Sequence, residues 1–174
     1  VVIVATVRAL KMHGGVEKED LKKENIQAVK KGLVNLERHI NNIKKFGINP
    51  VVAINHFVLD TKAEIKIISD FCKKLNVEVS ECTHWANGGK GTKDLAKKVV
   101  EICKKSKKNN FKFLYNEKET LWNKIETIAK EIYKASKITA DEKVKEELIK
   151  FEKNGYGKLP VCIAKTQYSF SIDP

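Results

Sequence analysis

The chain has 174 residues, of which 42% are hydrophobic and 32% charged, a composition typical of globular proteins. No apolar run approaches the ~20 residues that a membrane-spanning helix requires, so no membrane partner is expected. The formal net charge of +12 would suit nucleic-acid binding, but Arg8 and Arg38 are the only arginines. Since nucleic-acid sites favour arginine for bidentate contacts, the charge indicates a lysine-rich surface and no nucleic-acid partner.

The first predicted element is an apolar strand over residues 1–7. It leads into a turn that carries Arg8, Lys11 and His13 to the paired glycines 14 and 15. Cations that follow a buried strand lie at the carboxyl edge of a sheet, where they hold phosphate or carboxylate groups. The alternative is a turn with solvated charges. The chain starts inside this strand without a methionine, so we expect it to be a segment of a longer protein.

Short apolar strands then alternate with amphipathic helices. A long helix is predicted over about residues 22–46, ended by Gly47 and followed by Pro50. The elements predicted next are strand 51–54, helix 63–75 with Thr61 as N-cap, strand 77–82, and helix 95–103 with Thr92 as cap. The order βαβαβα over residues 1–105 predicts an α/β fold, with a parallel sheet covered by helices on both faces.

The pattern changes after a basic linker over residues 104–110. The elements predicted there are strand 111–115, a strong helix over 121–133, a weaker helix from Asp141 to Phe151, and a last strand over 161–164. They indicate a smaller, mainly helical α+β extension. Lys165 follows the last strand and is a candidate ligand for a phosphate or carboxylate; the alternative is a polar strand end.

Two loops that follow predicted strands carry aromatic residues. Asn55, His56 and Phe57 follow strand 51–54; an amide can read the edge of a base, and an aromatic ring can pack on a purine. Trp85 lies in the glycine-rich run CTHWANGGKGT, where its flat ring suits stacking on a heteroaromatic ligand. The alternatives are a turn cap for Asn55 and core packing for the two rings. The glycines lack the GxxxxGK[ST] spacing of a phosphate loop.

The cysteines and histidines favour neither a disulfide framework nor a metal centre. The four cysteines have no CxxC spacing, which is typical of free, partly buried thiols in a reducing cytoplasm. His13, His56 and His84 fall in three loops that converge on one sheet edge. No histidine, aspartate or glutamate pair has ligand spacing on a single element, so no metal site is predicted.

Six segments distributed over the chain form a recognisable set, namely VATVRALKMHGG, PVVAINHF, CTHWANGGKG, FKFLY, IETIAKEIY and GYGKLPVCIAKTQYS. In these segments and in their order, the chain resembles the formate–tetrahydrofolate ligases over essentially its whole length. The resemblance implies a P-loop-type α/β core with appended domains. It also implies an enzyme that uses ATP to join formate to tetrahydrofolate through formyl phosphate, giving 10-formyltetrahydrofolate. Mg²⁺ would accompany the nucleotide, a monovalent cation would activate the enzyme, and bacterial members are usually homotetramers.

The resemblance also implies roles for particular residues. Phe57 would be the aromatic side chain of the adenine pocket, with Asn55 beside it, and Trp85 would stack on the folate or purine ring. The backbone of residues 82–84 would line the same pocket. His56 stands where family members often have arginine. The residues expected near the active site are Arg8, Lys11, His13 and Lys165.

The phosphate loop GxxxxGK[ST] is absent from this sequence. The acidic and arginine residues expected to bind Mg²⁺ and formyl phosphate are also absent, so no catalytic residue is assigned. We predict that the segment holds part of the purine and folate pocket, needs no cofactor by itself, and is inactive in isolation. Residues 1–32 would end the nucleotide-binding core, and residues 33–174 would form most of the C-terminal domain. The alternatives are a non-catalytic nucleotide- or folate-binding module and a basic RNA-binding protein.

Overall fold

A computed structural model of the chain describes residues 1–105, 110–164 and 170. Contacts between residues divide the chain into two compact units, Val1–Phe111 and Lys112–Pro174. The division predicted between residues 32 and 33 concerns the longer protein and stays a prediction. Within this chain, Gly32 lies in a helix in the middle of the first unit.

The first unit is built on a three-stranded parallel sheet, which confirms the predicted α/β class. The strands are β1 (Val2–Ala5), β2 (Val51–Asn55) and β3 (Glu78–Cys82), in the order β1-β2-β3. Val4 pairs with Ala53, which in turn pairs with Ser80. The apolar residues of β2 are all buried, because this strand is central and helices lie on both of its faces.

The helices of the first unit follow the strands along the chain and include each helix that the apolar periodicity predicts there. They are α1 (Val7–His13), α2 (Ile26–Lys45), α3 (Lys62–Lys74), α4 (His84–Asn87) and α5 (Lys93–Lys105). Thr61 caps α3 as predicted. Its Oγ1 accepts a hydrogen bond from the Glu64 amide at 3.2 Å, and the Glu64 carboxylate accepts one from the Thr61 amide at 3.1 Å. This reciprocal pair is a capping box.

The prediction for residues 6–13 is wrong. Strand β1 ends at Ala5, and the expected turn is helix α1. Thr6 caps this helix, because its Oγ1 accepts a hydrogen bond from the Ala9 amide at 3.0 Å. Threonine also favours strands, so after an apolar β-branched run the sequence predicts that Thr6 continues the strand. Helix α1 buries Val7 and Leu10.

The hydrophobic core lies between one face of the sheet and helices α1 to α3. Its members come from all of these elements and include Val7, Val29, Leu33, Ile40, Val52, Ile54, Ile65 and Ile68. On the other face, helix α5 contacts β2 and β3. Val2 and Val4 share that face but are 41% and 66% exposed. Within the described part of the first unit, the prediction that helices cover both faces is therefore wrong at β1, because helix α5 on this side follows β3 and contacts β2 and β3.

The regular secondary structure that is described in the second unit is helical. It contains α6 (Leu121–Glu131), capped by Thr120, and α7 (Glu142–Lys153), which begins after Asp141 as predicted. The predicted strands at 111–115 and 161–164 are wrong, because neither range has strand structure. In place of a ladder, Tyr115 Oη accepts a hydrogen bond from the Val161 amide at 2.8 Å. The buried Lys124 ammonium donates to the carbonyls of Gly157 and Leu159.

Candidate functional site

A cavity of about 510 Å³ lies in the first unit, where the segments that follow β1, β2 and β3 meet. The carboxyl ends of parallel strands are the usual location of ligand sites in α/β proteins. The cavity is lined by Thr6, Arg8, Lys18, Leu21, Lys22, Phe57, Val58, Leu59, Asp60 and Trp85. The structure thus brings together three residues that the sequence singled out, namely Arg8, Phe57 and Trp85.

Two aromatic rings are presented to this cavity without being buried by the protein. Phe57 is 37% exposed and Trp85 is 68% exposed. Leaving a large apolar side chain in water forgoes about 1.5–3 kcal/mol of burial free energy. Core packing, the structural alternative for Trp85, therefore does not apply in this chain. Exposed rings at a cavity wall offer flat surfaces on which a heteroaromatic ligand can stack.

The backbone around each ring is held by a specific local contact. The Phe57 amide donates to Asp60 Oδ2 at 2.8 Å, which closes the turn after β2. Trp85 lies in α4, and the Thr83 amide before it donates to the Gly91 carbonyl at 3.1 Å. A Cβ atom on Gly91 would lie 2.5 Å from the Thr83 carbonyl carbon, so the close approach requires glycine. The glycine-rich run thus packs against the residues that precede Trp85.

The cavity wall is positively charged. Arg8, Lys18 and Lys22 contribute three cations, whereas Asp60 is the one acid among the described lining residues. The Oδ2 atom of Asp60 already accepts the Phe57 amide. An aromatic wall beside several cations is complementary to a ligand that combines a flat ring with phosphate or carboxylate groups. Lys18 and Lys22 were missed from the sequence, because they lie outside any recognised motif.

Lys11 does not line the cavity, and its predicted location in a loop is wrong. It lies in α1, is only 1% exposed, and its Nζ is 2.9 Å from Glu64 Oε1. The same ammonium donates to the Lys23 carbonyl at 3.0 Å. A buried lysine needs such partners, because desolvation of an unpaired ammonium is costly. Lys11 is therefore part of a buried ion pair that connects α1 with α3.

Glu64 is the partner of Lys11 and was missed by the sequence analysis. Its carboxylate is fully buried and accepts hydrogen bonds from the amides of Asn25 at 2.9 Å and Thr61 at 3.1 Å. Burial raises the pKa of this carboxyl group, but these two bonds and the Lys11 ammonium outweigh it and lower the pKa below its ordinary value. The sequence T-x-x-E at residues 61–64 is a capping-box signature that indicates the local bonds of Glu64.

Three of the other predicted site residues, Asn55, His56 and His13, are described by the structure but are not among the residues that line the cavity. Asn55 ends β2, and its Oδ1 is buried without a hydrogen-bond partner in the described parts of the chain. His56 Nδ1 lies 2.7 Å from Glu81 Oε1. His13 is exposed at the end of α1. Lys165 lies outside the described residues. The ligand roles expected of these four residues stay predictions.

The thiols are free in the first and second units alike. Cys72 and Cys82 are buried, whereas Cys103 and Cys162 are exposed. Burial raises the pKa of the Cys72 thiol to about 11, which keeps it protonated and unreactive at neutral pH. Within residues 1–105, 110–164 and 170, no three His, Cys, Asp or Glu side chains lie together as metal ligands would. No helix in these ranges is long and apolar enough to cross a membrane.

The family profile described as formate–tetrahydrofolate ligase matches residues 1–174. The chain is 61% identical over 174 residues to the formate–tetrahydrofolate ligase of Pelagibacter ubique, covering all of this chain and 31% of that protein. It is 55% identical to the ligase of Rhizobium etli and 54% identical to that of Rhizobium meliloti, covering 99% of this chain and 31% of each relative. The chain thus spans about a third of the length of these relatives, and it belongs to the formate–tetrahydrofolate ligase family.

Proposed function

We propose that this chain supplies the purine- and folate-binding surface of an ATP-dependent enzyme that joins formate to tetrahydrofolate. The observation that carries the proposal is the presence of Phe57, Trp85 and Arg8 on one cavity at the carboxyl end of the sheet. The full-length relatives are named as formate–tetrahydrofolate ligases. Since the chain spans about a third of their length, the activity is proposed for the longer protein, and the isolated chain is expected to be inactive.

In this proposal, the flat ring of the nucleotide or folate stacks on Trp85 and Phe57. The cations of Arg8, Lys18 and Lys22 neutralise its phosphate or carboxylate groups. Asn55 and His56 are proposed to lie beside the purine on the strength of the family resemblance. The buried Oδ1 of Asn55, which has no partner among the described residues, suits the amine donor of a base.

The reaction proposed for the longer protein has two steps. A formate oxygen attacks the terminal phosphorus of ATP, which forms formyl phosphate and releases ADP. N10 of tetrahydrofolate then attacks the formyl carbon, and inorganic phosphate leaves with the formation of 10-formyltetrahydrofolate. In this chain, the phosphate-loop sequence is absent and the cavity acid Asp60 already accepts the Phe57 amide. The residues that would hold Mg²⁺ are therefore assigned to the rest of the protein.

Further properties are proposed from the resemblance alone. They are activation by a monovalent cation, assembly into a homotetramer and location in the cytoplasm. Neither the non-catalytic module nor the RNA-binding protein is favoured, because the chain matches ligases over its whole length at 53–61% identity.

A segment exchange tests the proposed function. This chain replaces the matching 31% of the Pelagibacter ubique ligase, to which it is 61% identical. We expect the chimera to form 10-formyltetrahydrofolate, with sustained ADP release, only when ATP, formate and tetrahydrofolate are all present, and the isolated chain to form none. Circular dichroism first establishes that both proteins are folded. A folded chimera without formate-dependent turnover would contradict the proposal, and turnover by the isolated chain would contradict the location of the reaction centre outside it.

A further inference from the structure

We propose that the buried Lys11–Glu64 ion pair is a positioning device that sets the walls of the ligand cavity. Neither side chain lines the cavity, so the two are positioning residues and do not touch the ligand. The proposal rests on the proposed function for the identity of the ligand. The structural part of the proposal states which chain segments the ion pair holds in place, and this part does not depend on the proposed function.

Three walls of the cavity are each formed by a different chain segment, and the contacts of the ion pair reach all three segments. Lys11 is part of α1, whose N-terminal residues include the cavity residue Arg8. Its ammonium donates to the carbonyl of Lys23, the neighbour of the cavity residue Lys22. The lysine thus connects the wall that follows β1 to the wall formed by residues 18–22.

Glu64 extends the same connection to the third wall. Its Oε1 accepts the amide of Asn25 at 2.9 Å, just beyond the segment of residues 18–22. Its Oε2 accepts the amide of Thr61 at 3.1 Å, directly after the cavity residue Asp60. One buried carboxylate therefore fixes the backbone on two sides of the cavity, and its ion pair fixes the third.

The chemistry of the pair favours positioning over stabilisation as its role. Replacing a buried ion pair by apolar side chains of similar size is often neutral or stabilising, because the charges must be removed from water. An apolar pair at these positions would fill the same space but offer no acceptor to the Asn25 and Thr61 amides. It would also offer no donor to the Lys23 carbonyl. What the ions provide and an apolar pair lacks is this set of directed backbone bonds.

The test uses three variants and one matched control. Lys11→Met removes the cation, and Glu64→Gln removes the anion while keeping an amide oxygen as acceptor. The double variant Lys11→Met/Glu64→Leu replaces the pair by apolar side chains, so that it folds even if the single Lys11→Met variant does not. The control is Lys66→Met, which breaks an exposed ion pair with Asp70 on the same helix α3.

Hydrogen exchange of backbone amides in the 174-residue chain, followed by NMR, tests the structural part of the proposal. We expect the Asn25 and Thr61 amides of the double variant to exchange about tenfold faster or more, with the amides of β2 unchanged. Glu64→Gln should give a smaller increase at the same two amides, and Lys66→Met should give none. A merely stabilising pair would raise exchange across the whole core, including β2. That uniform result, or unchanged protection of both amides, would overturn the proposal.

Steady-state kinetics of the Pelagibacter ubique chimera test the functional part of the proposal. We expect the double variant to raise the KM for ATP or tetrahydrofolate about tenfold or more, with kcat within about twofold, because small displacements of binding groups weaken binding. An unchanged KM in a folded double variant would overturn the positioning role. If the unsubstituted chimera is itself inactive, the proposed function fails, and the exchange pattern alone decides the inference.

Discussion

Replacement of Trp85 by alanine in the Pelagibacter ubique chimera is expected to raise the KM for ATP or tetrahydrofolate by about 5- to 160-fold. The estimate follows from the ~1–3 kcal/mol that stacking of one base on an aromatic side chain contributes. Trp85 is 68% exposed on the cavity wall, so the substitution removes little protein packing and should leave the unfolding temperature nearly unchanged. Steady-state kinetics with each substrate varied in turn identify which ligand stacks there.

Two further variants make this result specific to the ring. Trp85→Phe keeps an aromatic face and should recover most of the lost affinity. Trp122→Phe changes the other tryptophan, which lies in α6 of the second unit, and should leave both KM values unchanged. If Trp85→Ala leaves both KM values as they were, the assignment of the cavity as the purine and folate surface is wrong.

The second large effect is expected at Gly32, where helices α1 and α2 approach closely. A Cβ atom at this position would lie 2.0 Å from the Leu10 carbonyl oxygen, and one at Gly14 would lie 2.0 Å from the Ala28 carbonyl oxygen. Alanine is about 1 kcal/mol better than glycine within a helix, so propensity alone predicts that Gly32→Ala is stabilising. The contact is backbone against backbone and cannot be relieved by turning a side chain.

We therefore expect Gly32→Ala to lower the free energy of unfolding by about 2–3 kcal/mol, the upper part of the range of about 1–3 kcal/mol for overpacking a core, because the clash is with backbone. For a chain of this size, thermal unfolding should occur about 4–12 °C lower. The matched control is Lys31→Ala, at the exposed neighbouring position of the same helix, which should change the unfolding temperature little. An unchanged or raised unfolding temperature in Gly32→Ala would contradict the close packing of α1 on α2.

The sequence predicts the parallel sheet and most helices because these depend on local signals. Apolar residues at helical spacing locate α2 and α3, and Thr61 marks the start of α3 by its capping box. Helix α1 was missed because its cap, Thr6, follows a β-branched run and suits a strand equally well. The two strands predicted around Tyr115 and Val161 fail for a different reason. An apolar run becomes a strand only if a partner strand pairs with it, and a tyrosine hydroxyl binds the Val161 backbone instead.

The cavity was predicted in part. Phe57 and Trp85 follow β2 and β3 directly, so parallel topology brings them to one edge without further information. The position of Lys11 after a buried strand and within the family signature predicts a site residue, but its ammonium is turned into the protein toward Glu64. That contact joins residues 53 positions apart in sequence, and no local pattern indicates it. The pairing of buried charges that are distant in sequence is thus the feature near the site that only the structure reveals.

Tryptophan fluorescence of the 174-residue chain, titrated with MgATP and separately with tetrahydrofolate, tests the central claim most directly. The account predicts a weak, saturable change with at least one ligand, because the cavity walls and Trp85 are present in the chain while the phosphate-loop sequence is absent. That change should vanish in Trp85→Phe and persist in Trp122→Phe. A folded chain that responds to neither ligand, or a response that survives in Trp85→Phe, would contradict the claim that this segment carries the purine and folate surface.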